Sequence, residues 1–216
     1  MDGRVFDIGI QTGRALARLR AGAPALEAGS TEENALGNGS LMRVLPLALW
    51  HRGADAELVT AACAQSRVTH GHPRAQVCCA LYCLWARRTL EETPNPWAAA
   101  VSALRAMFPD DAREREELEW SIRPDDPPEG DGSGYVVATL RSARWAQEAG
   151  SYEQVVKAAI GLGRDTDTTA CVAGGIVGLR DGVTAIPARW RETLRGMELV
   201  QPLLDALLKR AVAEQA

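Results

Sequence analysis

The chain has 216 residues, enough for one domain with a sizeable buried core. Hydrophobic residues make up 46% and charged residues 24%, the balance of a soluble globular protein rather than a disordered or fibrous one. A net charge of −4, with arginines scattered among acids, leaves no basic footprint, so no nucleic-acid binding is expected.

The first 22 residues lack the basic start, apolar core and small-residue cleavage site of a leader peptide. No apolar run is long enough to span a bilayer, so no membrane is expected and the localisation reads as cytoplasmic. The five cysteines, Cys63, Cys78, Cys79, Cys83 and Cys171, form neither a CxxC pair nor a disulfide framework. Cys79 and Cys83, four apart on a helical stretch, read as small core residues; zinc binding there is the remote alternative.

In chain order, residues 10–20 carry apolar and arginine positions at helical spacing. Leu41 to Trp50 is nearly all apolar and predicts a helix buried on most faces. Arg43 inside it calls for a buried acidic partner. Asp55 is placed to cap a helix ending near Arg67. Pro73 and Pro96 stand where first helical residues should, the former opening a long helix through Leu84. Residues 109–134 change character: DDAREREELEW predicts a charged surface helix, and RPDDPPEGDGSG a loop. Both helical flanks being apolar, this is a polar excursion within one domain spanning 1–216. Helices resume over 136–149 and 151–160, the latter with a capping box of Ser151 and Gln154. After GLGRDTDTTA comes a helix whose Gly174, Gly175 and Gly178 allow close contact, and Pro187 and Glu198 begin the last two. No period-two strand pattern persists, so the fold class is all-α.

Three motifs carry chemistry. Asp165-Thr166-Asp167-Thr168-Thr169 packs two carboxylates and several hydroxyls beside a glycine turn. Such hard oxygen donors suit Mg²⁺ or Mn²⁺ better than zinc. The plain alternative is that Asp167 or Thr168 caps the next helix, although one cap needs only one oxygen. Gly37-Asn38-Gly39-Ser40, ahead of an apolar helix, is either a phosphate-binding turn at a helix N-terminus or an ordinary turn. In Thr69-His70-Gly71-His72-Pro73, one imidazole is expected to contact a ligand while the other is structural.

Five segments in order, DIGIQTGRALARLRAG, GNGSLMRVLPLAL, SRVTHGHPRAQVCCALY, GSGYVVATLRSARWA and GRDTDTTACVAGGIVG, resemble the ADP-ribosylglycohydrolase family (dinitrogenase reductase-activating glycohydrolase-like) over nearly the whole chain. The resemblance implies a compact orthogonal multi-helix fold, with two divalent cations, Mg²⁺ or Mn²⁺, at the bottom of a cleft. It makes Asp165, Asp167 and Thr168 metal ligands, the two aspartates also being the catalytic carboxylates. Glu33, Asn34, Ala35, Leu36, Gly37, Asn38, Gly39 and Ser40 match the loop holding the diphosphate and nearby ribose; His70 matches a ligand contact and Tyr135 a cleft wall. The implied reaction is hydrolysis of the C1″ bond of the distal ribose in an ADP-ribosylated protein or small molecule.

The family's N-terminal glycine-aspartate segment and Thr-Asp-Asp motif have no counterpart: Asp110-Asp111 follows Pro109, and Asp125-Asp126 follows Pro124. Arg164 stands where the family usually has glycine. By the resemblance the chain corresponds to the C-terminal part of a family domain, N-terminally truncated. A complementing N-terminal chain or a homo-oligomer is the expected partner. A non-catalytic ADP-ribose-binding or structural relative, or an inactive fragment, are the alternative readings.

Overall fold

Prolines and polar caps set where the helices begin. A computed structural model describes residues 7–213, with side chains through 209. Residues 1–6, the start of the stretch searched for a leader, lie outside the described residues. Eleven α-helices and no strand occur among the described residues: α1 (Ile10–Arg20), α2 (Leu45–Trp50), α3 (Asp55–Arg67), α4 (Pro73–Leu90), α5 (Pro96–Met107), α6 (Arg113–Glu116), α7 (Val136–Ala146), α8 (Tyr152–Gly161), α9 (Thr166–Asp181), α10 (Ala188–Glu192) and α11 (Met197–Ala213). The all-α expectation holds, and no helix is long and apolar enough to cross a membrane.

The core is built around α4, which has buried residues on every face and packs against α2, α3, α5, α7 and α9. A helix apolar all round has no solvent face to orient, so it becomes the central element. Cys78, Cys79 and Cys83 lie fully buried on it as small packing residues. Gly175 of α9 lies against α4, where a Cβ would meet the Tyr82 hydroxyl. That hydroxyl donates to the Val172 carbonyl at 2.9 Å, tying the two helices through a buried polar pair.

Three expected boundaries move. The apolar stretch 41–50 is helical only from Leu45, residues 38–44 forming turns. Pro46 explains this: it has no N–H for the Met42 carbonyl, and proline is tolerated only in a first turn. Asp55 is the first residue of α3 rather than its cap. The Glu57 carboxylate takes the Ala54 N–H at 3.0 Å instead, while Asp55 pairs with Arg87 at 2.9 Å and with Arg88. The charged helix at 113–122 is one α-turn run into a π-helical turn at Glu117–Ile122, with Leu118 and Ile122 buried.

The polar excursion is anchored by arginines. Arg105 pairs with Glu119 at 2.7 Å, and Arg144 stacks 4.7 Å over the Trp97 ring while donating to the Pro124 and Asp126 carbonyls. At the other extreme, α11 leaves Leu199, Leu203 and Leu208 facing solvent.

Candidate functional site

The glycine turn and the aspartate motif meet through one amide. Asn38, buried in the turn, donates from Nδ2 to Asp165 Oδ2 at 2.7 Å and to Thr139 Oγ1 at 2.8 Å. Both amide hydrogens are thereby used, joining positions 127 residues apart. The Thr139 hydroxyl lies 3.1 Å from the Ser133 carbonyl, so the 133–135 segment is held as well. A lone bridge pairs Gly37 with Tyr135, and the Val136 N–H reaches the Leu36 carbonyl at 2.9 Å. Gly134 is bare for a reason: a Cβ there would stand 3.0 Å from Asp165 Oδ2.

The turn does not feed a helix N-terminus, because α2 starts only at Leu45. The Asn38 carbonyl instead accepts from the N–H groups of Leu41 and Met42, at 2.9 and 3.1 Å. The Gly37 N–H is taken by Gln11 Oε1 at 3.2 Å. An anion site built on helix-terminal N–H groups is therefore not formed there, and the turn's role rests on Asn38 and on close approach. Ser40 is fully buried and hydrogen-bonded to Ser66 at 2.9 Å, Cys79 donating to it from below at 3.4 Å.

Asp165 is the N-cap residue of α9, yet its carboxylate makes no capping bond. It goes to Asn38, while Asp167 and Thr168, the two residues read as alternative caps, lie inside the first turn of α9. Asp167 is exposed in the first turn of α9, where a negative charge complements the helix dipole. Thr168 is buried beside it, and Thr169 is fully buried with a hydroxyl that has no hydrogen-bond partner among the described residues. Such an orphan is costly in a folded interior. Arg164, immediately before, has φ +59°, a conformation in which glycine is unstrained and arginine is not. Its guanidinium pairs with Asp131 at 2.9 Å.

The two histidines of residues 69–73 face different surroundings. His70 is buried, and its Nδ1 lies 2.7 Å from the Thr69 hydroxyl. A Cβ on Gly39 would stand 2.9 Å from His70 Cε1, and one on Gly37 would stand 3.6 Å from Nε2, so the ring packs edge-on against the turn. Burial, and then the nearby Arg43 cation, push the His70 pKa down to about 4. Arg43 has no acidic partner among the described residues, contrary to expectation. It donates to the Gln65 side chain and backbone and to the Gly39 carbonyl, and remains exposed. Carbonyl and amide oxygens suffice for a guanidinium that solvent still reaches.

His72 belongs to another cluster. Its Nδ1 accepts the Arg74 N–H at 3.1 Å and its Nε2 lies 3.0 Å from Glu33 Oε1. Arg74 pairs with buried Glu117 at 2.7 Å and reaches the Tyr135 hydroxyl at 3.3 Å, while Arg113 contacts Glu33 at 3.1 Å. The His72 hydrogen bond, together with Arg74 and Arg113, holds the Glu33 carboxyl below its ordinary range. Glu33 is thus engaged beside the turn rather than in it; Asn34 is exposed, and Ala35 is buried under a bond to the Glu32 carbonyl.

Two places offer cation donors. Glu33, His72 and Glu117 bring donor atoms within 4.8 Å of one another, the only such group of three His, Cys, Asp or Glu among the described residues. Two guanidinium groups already neutralise its carboxylates, so it is a salt-bridge network rather than a vacant shell. No cysteine joins any such group there. The Asp165–Thr169 segment fits in kind: two carboxylates, a buried threonine and an orphaned buried hydroxyl are hard oxygen donors. They furnish part of a shell, since Mg²⁺ asks for six oxygens.

Sequence reasoning missed Thr139, Gln11 and Thr69. Only Thr139 left a signal, as a hydroxyl on the apolar face of α7 among Val136, Val137 and Leu140. Gly29 also matters: a Cβ there would stand 2.7 Å from the N atoms of His70 and Gly71, so only glycine lets residues 28–30 lie against the histidine loop.

The family model described as ADP-ribosylglycohydrolase matches residues 1–216. The chain is 32% identical over 220 residues to ADP-ribosylarginine hydrolase Tri1 of Pseudomonas putida (strain GB-1), covering 98% of this chain and 56% of that protein. It is 28% identical over 182 residues to ADP-ribosyl-[dinitrogen reductase] glycohydrolase of Rhodospirillum rubrum, covering 83% of this chain and 58% of that one. The chain therefore spans little more than half the length of these curated relatives. A solved structure described as an ADP-ribosylglycohydrolase-related protein complex superposes with a TM-score of 0.76 at 31% identity, covering 93% of this chain and 69% of the other.

Proposed function

Since the chain belongs to the ADP-ribosylglycohydrolase family, we propose that it carries the ADP-ribose-binding face and part of the metal site of a metal-dependent ADP-ribosyl hydrolase. The observation that carries this reading is the Asn38 amide held between Asp165 and Thr139. It fixes the glycine turn and the aspartate motif in one place.

Asp165, Asp167 and Thr168 would hold Mg²⁺ or Mn²⁺. When bound, such cations supply Lewis-acid polarisation and stabilise charge as a glycosidic bond breaks. Asn38 orients the Asp165 carboxylate and denies it other rotamers. Asp165 and Asp167 would be the carboxylates that take the proton of an attacking water, the role of a general base. Gly37 and Gly39 let a ligand approach the backbone beside His70, and Tyr135 walls the turn. The bond cleaved is the C1″ linkage of the distal ribose; ADP-ribosylated arginine is the linkage that the name of the Pseudomonas putida relative favours. The exposed apolar side chains of Ile10, Leu203 and Leu208 support association with a complementing chain or a second copy, in keeping with a hard-donor set that is partial here.

A thermal melt of the chain, alone and with Mg²⁺ plus ADP-ribose, tests the reading. A ligand that binds only the folded state raises Tm, about 2.7 kcal/mol of stabilisation appearing at a concentration a hundredfold above Kd. Asp165→Ala combined with Asp167→Ala should abolish the Mg²⁺-dependent part of that shift. An unchanged shift in the double variant would remove the aspartates from the site.

A further inference from the structure

His70 is one of the most constrained side chains near the turn, and its hydrogen-bond bookkeeping has one consistent solution. The Thr69 side chain is buried, and its Oγ1 lies 2.7 Å from His70 Nδ1. A buried hydroxyl proton requires an acceptor. Among the described residues the only hydrogen-bond partner of Thr69 Oγ1 is that ring nitrogen. The hydroxyl therefore donates and Nδ1 accepts. A neutral imidazole carries one proton, which this places on Nε2. The His70 Nε2 has no protein partner among the described residues, and it lies beside Gly39 and Gly37 of the turn. The backbone that carries the ring is held as well, where Ser66 Oγ donates to the His70 carbonyl at 3.0 Å and the Gly71 N–H reaches the Ser30 carbonyl at 2.9 Å.

Resting on the ADP-ribose reading above, we infer that Thr69 is a positioning residue: its hydroxyl fixes His70 as an Nε2–H donor at the glycine turn, where the imidazole recognises an oxygen acceptor of the ligand. The ligand atom it selects is a hydroxyl, ring or phosphate oxygen, never an N–H donor. Arg43 is the charged group that bears on this ring, and with burial it keeps the imidazole neutral across the physiological range. Recognition is then by a directed hydrogen bond and not by charge. Affinity for ADP-ribose should not change through this residue between about pH 5.5 and pH 8.

Long-range ¹H–¹⁵N correlation on histidine-labelled protein at pH 7 reads the tautomer directly, with His70→Gln identifying the signals. The expected pattern is an unprotonated Nδ1 and a protonated Nε2. In Thr69→Val the Nε2–H preference is lost; Thr69→Ser, which keeps the hydroxyl, restores it. Calorimetric titration with ADP-ribose and Mg²⁺ should show a loss of about five- to tenfold in Thr69→Val and near-normal binding in Thr69→Ser. A protonated Nδ1 in the unsubstituted chain, or a Thr69→Val variant that keeps both the Nε2–H pattern and full affinity, overturns the inference. Should the unsubstituted chain fail to bind ADP-ribose, the proposed function falls with the ligand half of the inference, while the free-protein spectrum still decides the role of Thr69.

Discussion

His70 and His72 stand two residues apart and are both buried, yet they have been given opposite work. In each, something occupies Nδ1 as a donor: the Thr69 hydroxyl for His70 and the Arg74 N–H for His72. In each the proton is thereby placed on Nε2. The difference is what that proton meets. For His72 it is Glu33, already held by Arg74 and Arg113, so its hydrogen-bonding capacity is spent inside the protein. For His70 it is the glycine turn, where Gly37 and Gly39 themselves carry no side chain. Of two similar histidines, the one whose donor is left over is the one available to a ligand.

The largest expected consequence is on acid stability. The His70 pKa of about 4 lies below its ordinary value of 6.5, so the unfolded chain binds a proton that the folded chain refuses. Stability is then complete above pH 6.5 and falls as the pH drops toward 4, by up to about 3 kcal/mol. Urea melts at pH 7 and pH 4.5 measure it. In His70→Gln the pH-dependent part should shrink, and an undiminished slope would assign the loss to other groups.

Next comes the contrast in binding. His70→Ala should weaken ADP-ribose binding by about 10- to 100-fold, the worth of a hydrogen bond to a charged group. His72→Ala should leave affinity within about threefold but lower stability by about 1–3 kcal/mol, because it strips a buried polar contact from the network. Equal losses of affinity in the two variants would erase the distinction. The smallest effect belongs to Glu33→Gln. Its carboxylate is solvent-exposed, so the expected change in Tm is about 2 °C or less, and smaller still in high salt.

The central helix was legible because Pro73, an apolar run of Ala, Val, Cys and Leu, and a basic end all pointed the same way. The start of α2 was not, because eight apolar residues in ten outweighed Pro46, whose missing N–H decides the boundary. The aspartate motif could be read as donor chemistry. That Asp165 would be claimed by Asn38 rather than by its own helix could not, since nothing in a linear string relates positions 38 and 165. Arg43 misled for a related reason: an arginine in an apolar run looks buried until the run proves to be a turn with one open side.

What the amino-acid sequence determined alone was helix content, the donor types at residues 165–169, the bare glycine turn and the kinship those segments carry. These depend on local propensity and composition, which act over a few residues. Tertiary structure decided which hydroxyl reaches which ring nitrogen, which histidine keeps a free donor and which carboxylate is already paired. Such choices turn on distances of about 3 Å between residues far apart in the chain, and only the packed helices set them.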